Sequence, residues 1–265
     1  MVSLHADDWA PNLTVAATWE SNVTNANVSS DQIDSIRLNG NLVAAQRYAL
    51  TRDDALQVAL RLGGEWWPRY NGLSSGLLGA RGGWRHQFGA DPLAPVVMIE
   101  GFADAVAAKD TGRRGAGAGA AVSVRKRLND LTRATFSHEV GWFDARYGVY
   151  DRGASETSLE LERDLSPLMR VTLTGRFRDG DVVSYAEGTR PDLIALAPQR
   201  IETDIFGRTL TAHRIDARTW GARAAFVRAL DDDSAIVLAY EWRGTRRQAL
   251  SFSNSLVSIS LVHQF

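Results

Sequence analysis

From Ala55 to Trp67 apolar residues recur at every second position. Leu56, Val58, Leu60, Leu62 and Trp66 fall on one side of an extended chain, and Gln57, Arg61 and Glu65 fall on the other. A helix would mix these two sets, so the period of two predicts a strand with one apolar face. The alternation returns at Leu13, Val15, Ala17 and Trp19, at Leu78, Ala80, Trp84 and Phe88, at Leu159 and Leu161, and at Val171, Leu173 and Phe177. It continues at Trp220, Ala222, Ala224 and Phe226, and at Ile236, Leu238, Tyr240 and Trp242. Short turn-forming segments separate these strands in alternation with longer polar ones. The short ones are Thr51–Asp54, Gly89–Leu93, Leu128–Leu131, Asp164–Leu168 and Leu230–Asp233; the longer ones lie near 22–34, 68–75, 108–116, 148–155, 186–212 and 244–251. That rhythm predicts roughly twelve antiparallel strands with both chain ends on the side of the short turns.

Alternation alone does not tell a lipid-facing wall from the core of a soluble sandwich. Aromatic placement does. On the apolar parity Trp19, Trp66, Trp142, Trp220 and Trp242 fall toward the long connections, and Trp84, Phe88, Phe226 and Phe265 toward the short turns, as two interfacial belts would. The opposite parity is heavily charged, and a sandwich core could not hold those charges. The expected fold is an all-β, closed antiparallel transmembrane barrel over residues 12–265, with short periplasmic turns, long extracellular loops and a periplasmic N-terminal segment at 1–11. No run approaches the ~18 to 20 apolar residues of a membrane helix. The stretch from Met1 to Trp9 has neither a basic nor an apolar secretory region, so the chain reads as a mature one whose signal is missing.

Composition removes other classes. A formal net charge of -1 with 23% charged residues gives no basic excess for nucleic acid. Absence of cysteine removes disulfides, thiolate metal sites and thiol nucleophiles, and no cluster of His, Asp and Glu has metal-ligand spacing. The charges expected to line the lumen are Arg61 and Glu65, Arg81 and Arg85, Glu100 and Asp104, Arg125 and Arg127, Glu139, Glu160 and Glu162, Arg170 and Arg176, Arg223, and Glu241 with Arg243. Their sign largely alternates from strand to strand, so neighbours about 4.8 Å apart can pair across the wall. No uninterrupted ladder of one sign runs through the set, as a strongly selective pore would need.

The final strand, Ser255 to Phe265, resembles the C-terminal signal of bacterial outer-membrane β-barrel proteins: Val257, Ile259, Leu261 and Phe265 match, and His263 stands where the signal often carries an aromatic ring. The resemblance implies a Gram-negative outer-membrane location, insertion by the barrel-assembly machinery, contact with lipid and lipopolysaccharide, and closure of the last strand on the first.

Three functions fit such a barrel. The first is a porin-like channel for small polar solutes. The second is a closed barrel serving export or holding a periplasmic or surface protein partner. The third, an outer-membrane hydrolase, needs a nucleophile and base within reach. Ser137 and His138 are adjacent in a strand and point to opposite faces. His213 with Asp216 and Asp204 sits at the rim and shares only residue types with omptin proteases. The glycine-rich run Gly112–Gly119 leads into a strand rather than a helix, so it is not a phosphate loop. The stretch Arg190–Pro198 with Asp204–Gly207 is apolar for a solvated loop, which predicts that it packs over the mouth or in the lumen, or that it extends the wall as a hairpin.

Overall fold

In the computed structural model, which describes residues 5–6, 9–188, 190–197 and 199–265, period-two alternation becomes backbone pairing along nearly the whole chain. The strands are β1 (His5–Ala6), β2 (Ala10–Glu20), β3 (Ser35–Ala49), β4 (Asp54–Trp66), β5 (Ser75–Gln87), β6 (Val96–Ala108), β7 (Gly115–Arg127) and β8 (Thr132–Ala145). They continue with β9 (Arg152–Ser166), β10 (Met169–Ala186), β11 (Arg200–Thr203), β12 (Leu210–Ala229), β13 (Ser234–Arg247) and β14 (Leu250–Gln264), and one short helix, α1 (Pro191–Leu196), precedes β11. Strands β2 to β10 and β12 to β14 pair antiparallel in order, and β14 returns to β2 from Leu256↔Glu20 to Gln264↔Asn12. The result is a closed ring of twelve strands. β1 extends the turn end beside β3 and β11 extends the loop end beside β12. Of the expected N-terminal segment at 1–11, residues 1–4 and 7–8 lie outside the described residues; Ala10 and Pro11 already pair with Ala45 and Ala44 of β3.

Short polar side chains close the turns. Thr51 Oγ1 accepts from the backbone of Asp53 and Asp54 and donates to Asp54 Oδ2. Asn129 Oδ1 accepts from Leu131 N at 3.0 Å, and Asp231 Oδ1 from Asp233 N at 3.0 Å. One connection departs from expectation: 244–251 is not an open loop. Pairing of β13 with β14 persists to Arg247↔Leu250, and Gln248 makes the turn at φ 50°. Its polar residues hide the strand because, above the membrane, neither face needs to be apolar.

The outer wall presents Leu62, Leu78, Leu173 and Ile259, each more than half exposed. Trp19, Trp66, Trp142, Trp220 and Trp242 stand exposed toward the loop end, with Trp84, Phe88 and Phe265 toward the turn end. An apolar surface of this extent with aromatic rims is the lipid-facing surface of a membrane barrel.

The longest connection begins as wall. At Gly180 (φ 151°) β10 leaves β9, its last partner there being Ala154, while pairing with β12 runs on to Ala186↔Thr211. A Cβ at Gly180 would sit 2.2 Å from Gly153 O, so close approach and the positive φ both require glycine. Above it β10 and β12 continue as a ribbon, with β11 paired along the far edge of β12.

Closure can be tested at the seam. Ala16 and Ser260 are paired across β2 and β14, at the Cα separation that a disulfide needs, and the native chain has no cysteine. The double variant Ala16→Cys/Ser260→Cys should lose both free thiols on oxidation and migrate differently on non-reducing denaturing gels. Two thiols that stay reactive in the folded protein would mean β14 and β2 are not neighbours.

Candidate functional site

Register carries the inner face around the ring. Arg61 and Glu65 on β4, Arg81 and Arg85 on β5, Glu100 and Asp104 on β6, and Arg125 and Arg127 on β7 have the parity opposite to the exposed apolar residues of their strands. The same holds for Glu139 on β8, Glu160 and Glu162 on β9, Arg170 and Arg176 on β10, Arg223 on β12, and Glu241 and Arg243 on β13. Several pair directly: Arg81 to Glu100 at 2.7 Å, Arg170 to Glu162 at 3.6 Å and to Asp164 at 2.6 Å, and Arg243 to Glu241 at 2.7 Å. Two pairs skip strands. Arg81 reaches Glu139 on β8 at 3.6 Å, and Arg176 reaches Glu241 on β13 at 3.8 Å, so these contacts brace the lumen rather than follow one ladder.

Other members find neutral partners. Arg61 Nε donates to Asn41 Oδ1 at 2.7 Å, Arg85 to Gln87, Arg127 to the carbonyl of Asp130, and Glu160 accepts from Thr174. Arg125 does not meet Glu100. It is opposite Val96, while Glu100 is opposite Ala121, an offset of four residues or about 13 Å along the strands. The Asp104 carboxylate lies over Gly79, where a Cβ would come within 1.9 Å of Oδ1.

At the loop end the lumen widens into a cavity of about 480 Å³. Arg37, Arg61, Arg113, Arg152, Arg178 and Arg243 line it, against the carboxylates Glu20, Glu65 and Asp181. Of these, only Arg61, Glu65 and Arg243 were legible as inward charges. Arg178 continues the parity of Arg176, and Glu20 and Arg37 continue that of Thr18 and Ser35, so two more residues of alternation would have found them. Arg113 lies on a loop, where parity gives no signal. Arg37 pairs with Glu65 at 3.0 Å, and Asp181 is shared by Arg214 at 3.6 Å and the backbone of Gly153 at 2.8 Å.

Loops from all around the rim cover this chamber. Thr24 O accepts from Tyr185 N at 2.8 Å, and Asn25 exchanges hydrogen bonds with Val183 and Ser184, which fastens the β2–β3 loop to the ribbon. Arg214 on the ribbon donates to Gly148 O and Asp151 in the β8–β9 loop. The segment after β11 then crosses to the opposite rim: Phe206 packs edge-on against Tyr70, centroids 5.3 Å apart, and Ile205 covers Gly72. The apolar residues of the long connection thus both extend the wall and strap the mouth. Pro198, part of the expected apolar run, lies outside the described residues.

The other face of the ribbon packs Ile215 and Ala217 against Leu193 of α1 and Leu250. His213 is buried there with neither ring nitrogen hydrogen-bonded, and Asp216 is bonded to Arg247 instead. Burial holds His213 below the ordinary imidazole range; Arg200 and Arg190 add repulsion that Asp192 partly offsets. Buried tyrosines face the other way: the Tyr150 hydroxyl is pushed above its usual value by desolvation. Ser137 bonds Ser158 on the inner face and His138 bonds Thr157 on the outer one.

A closed twelve-stranded barrel with an apolar exterior, two aromatic belts and a charged interior is a transmembrane β-barrel of the outer-membrane type. Within that class the chain is similar to an outer-membrane channel from Pseudomonas putida F1, with 11% identity and a TM-score of 0.62 over 97% of this chain and 96% of that one. It is also similar to the NanC porin, with 7% identity and a TM-score of 0.53 over 96% of this chain and 100% of that one. At these identities the likeness is one of fold. No protein-family profile matches the sequence, and no curated protein does.

Two outcomes follow from the geometry. The Glu241 side chain is 12% exposed and holds two arginines, whereas that of Glu139 is 44% exposed. Glu241→Ala should therefore lower unfolding stability by about 3 kcal/mol, and Glu139→Ala by less than about 1 kcal/mol; equal losses in a denaturant titration would contradict the difference in water access. His213 is the second case. Its folded pKa is depressed, so the unfolded ribbon takes up a proton that the folded one resists. Ribbon stability is complete above about pH 6.5 and falls as the pH drops below it. Proteolysis within 190–206 should increase on acidification, and His213→Leu should abolish that dependence.

Proposed function

We propose that the protein is a passive channel for small polar solutes in the Gram-negative outer membrane. The observation that carries this reading is the combination of a closed wall with a charged inner face and a chamber of about 480 Å³ at its loop end. A purely structural barrel has no use for such a cavity. The charges named above, from Arg61 to Arg243, act as the pore lining. In this reading the termini and tight turns are periplasmic, and the strapped loops face outward toward lipopolysaccharide. The terminal strand with Val257, Ile259, Leu261 and Phe265 is what the assembly machinery reads during insertion. The chain is a conduit rather than an enzyme.

One observation favours the second reading, a closed barrel that serves export or a partner protein: the strap between α1 and β12 lies across the mouth. Planar-bilayer recording separates the two. The folded protein should give stable ohmic steps, and removal of residues 190–206 should enlarge them. Glu100→Ala, which leaves Arg81 with Glu139 alone, should move selectivity toward anions. Silence from both the intact and the strap-deleted barrels, each correctly folded, would transfer the assignment to the closed-barrel reading.

A further inference from the structure

The chamber holds more positive charge than its own residues neutralise. Glu65 is committed to Arg37, Asp181 to Arg214 and Gly153, and Glu20 accepts from Asn254. Among the described residues, Arg61, Arg113, Arg152 and Arg178 have no carboxylate within ion-pair distance. Arg61 has an amide partner, Arg178 a backbone carbonyl, and Nη1 of Arg113 is shut from solvent with no acceptor at all. Arg113 and Arg178 lie close enough to Arg152 to repel it, which Glu65 offsets in part without pairing with it. Glu156 approaches Arg178 without pairing. Uncompensated cations brought together at partial burial are costly, and an anionic guest would relieve that cost.

A second feature narrows the guest. Aromatic rings alternate with the guanidinium groups: Arg152 lies 4.8 Å from the centroid of Phe143, Arg37 lies 5.7 Å from that of Trp67, and Tyr150 and Tyr185 complete the wall. Planar guanidinium groups bind carboxylates through paired N–H donors and stack on flat rings. The volume suits a small molecule.

We propose that this chamber is a binding site for a small organic anion with a flat ring, an aromatic carboxylate being the chemistry that uses both features. Arg113, Arg152 and Arg178 hold the carboxylate, and the ring lies among Phe143, Trp67 and the two tyrosines. This deepens the channel reading, since such a site would concentrate one solute class at the entrance.

The test uses benzoate as the probe, with acetate as the ringless anion and benzyl alcohol as the neutral ring, titrated by calorimetry into the folded protein in detergent. Heat-dependent gel migration verifies folding of each variant. Benzoate should bind saturably, and acetate and benzyl alcohol each at least about tenfold more weakly. Arg113→Gln/Arg178→Gln should weaken benzoate by at least about tenfold, while Arg52→Gln, exposed in the β3–β4 turn, should leave it unchanged. If the double variant does not fold, Arg152→Gln takes its place with the same threshold. The proposal is overturned if benzoate gives no saturable heat, if acetate binds as well, or if the arginine variants bind as the parent does. Binding without conductance would remove the channel reading and leave the site, whereas conductance without binding would do the reverse.

Discussion

Backbone hydrogen bonding in hydrocarbon governs this molecule. A lipid-exposed N–H or C=O without a partner costs several kcal/mol, so a spanning sheet must have no edge. The seam between β14 and β2 meets that demand, from Leu256↔Glu20 to Gln264↔Asn12, with Phe265 N bonded to Pro11 O at 3.0 Å as its last step. Once the seam is closed in that register, every inner and outer position around the ring is set, because a slip of one residue would turn Ile259 and Leu261 into the lumen and Ser258 and Ser260 onto the lipid.

The inner face distributes charge unevenly as a consequence. Carboxylates sit on β6, β8 and β9, at Glu100, Asp104, Glu139, Glu160 and Glu162, and arginines on β5 and β7, at Arg81, Arg85, Arg125 and Arg127, and on β10, β12 and β3, at Arg170, Arg176, Arg178, Arg223 and Arg37. Midway along the lumen Arg81 ties together two carboxylates, Glu100 and Glu139, and Glu241 ties together two arginines, Arg176 and Arg243. Toward the loop end Arg37 still pairs with Glu65 and Arg214 with Asp181, but among the described residues Arg61, Arg113, Arg152 and Arg178 have no ion-pair partner. The middle is braced, and the chamber keeps its charge unspent.

Alternation exposed the barrel because the constraint that creates it is local: each strand must present one face to lipid, so Leu56 through Leu62 declare their parity without help from the rest of the chain. The same parity placed Arg81, Glu100 and Glu241 on the inner face. Partners were less legible. Strand-by-strand reasoning says only that opposite charges on adjacent strands can pair, and it does not show that the register leaves Arg125 and Glu100 four residues apart. Nor could it foresee Arg81 reaching Glu139 across two intervening strands, since that contact depends on the curvature of the closed ring. Above the membrane the constraint lapses altogether. Residues 244–247 remain strand without an apolar face, Arg113 enters the chamber from a loop, and Phe206 finds Tyr70 on the far rim, none of which leaves a periodic trace.

In the proposed channel the strap covers the path that a solute would take. It is held at two kinds of joint. At the ribbon, backbone and side-chain hydrogen bonds to Thr24 and Asn25 continue the sheet, and Arg214 ties the β8–β9 loop. At the far rim Ile205 and Phe206 join a buried apolar cluster with Trp67, Tyr70, Leu73 and Tyr150, and Ile205 covers Gly72. Hydrogen-bonded ribbon resists displacement as a unit, and the far rim is held instead by burial of apolar side chains. In the proposed channel the cover is therefore fastened at both ends, and the guanidinium groups of the chamber lie between it and the braced middle of the lumen.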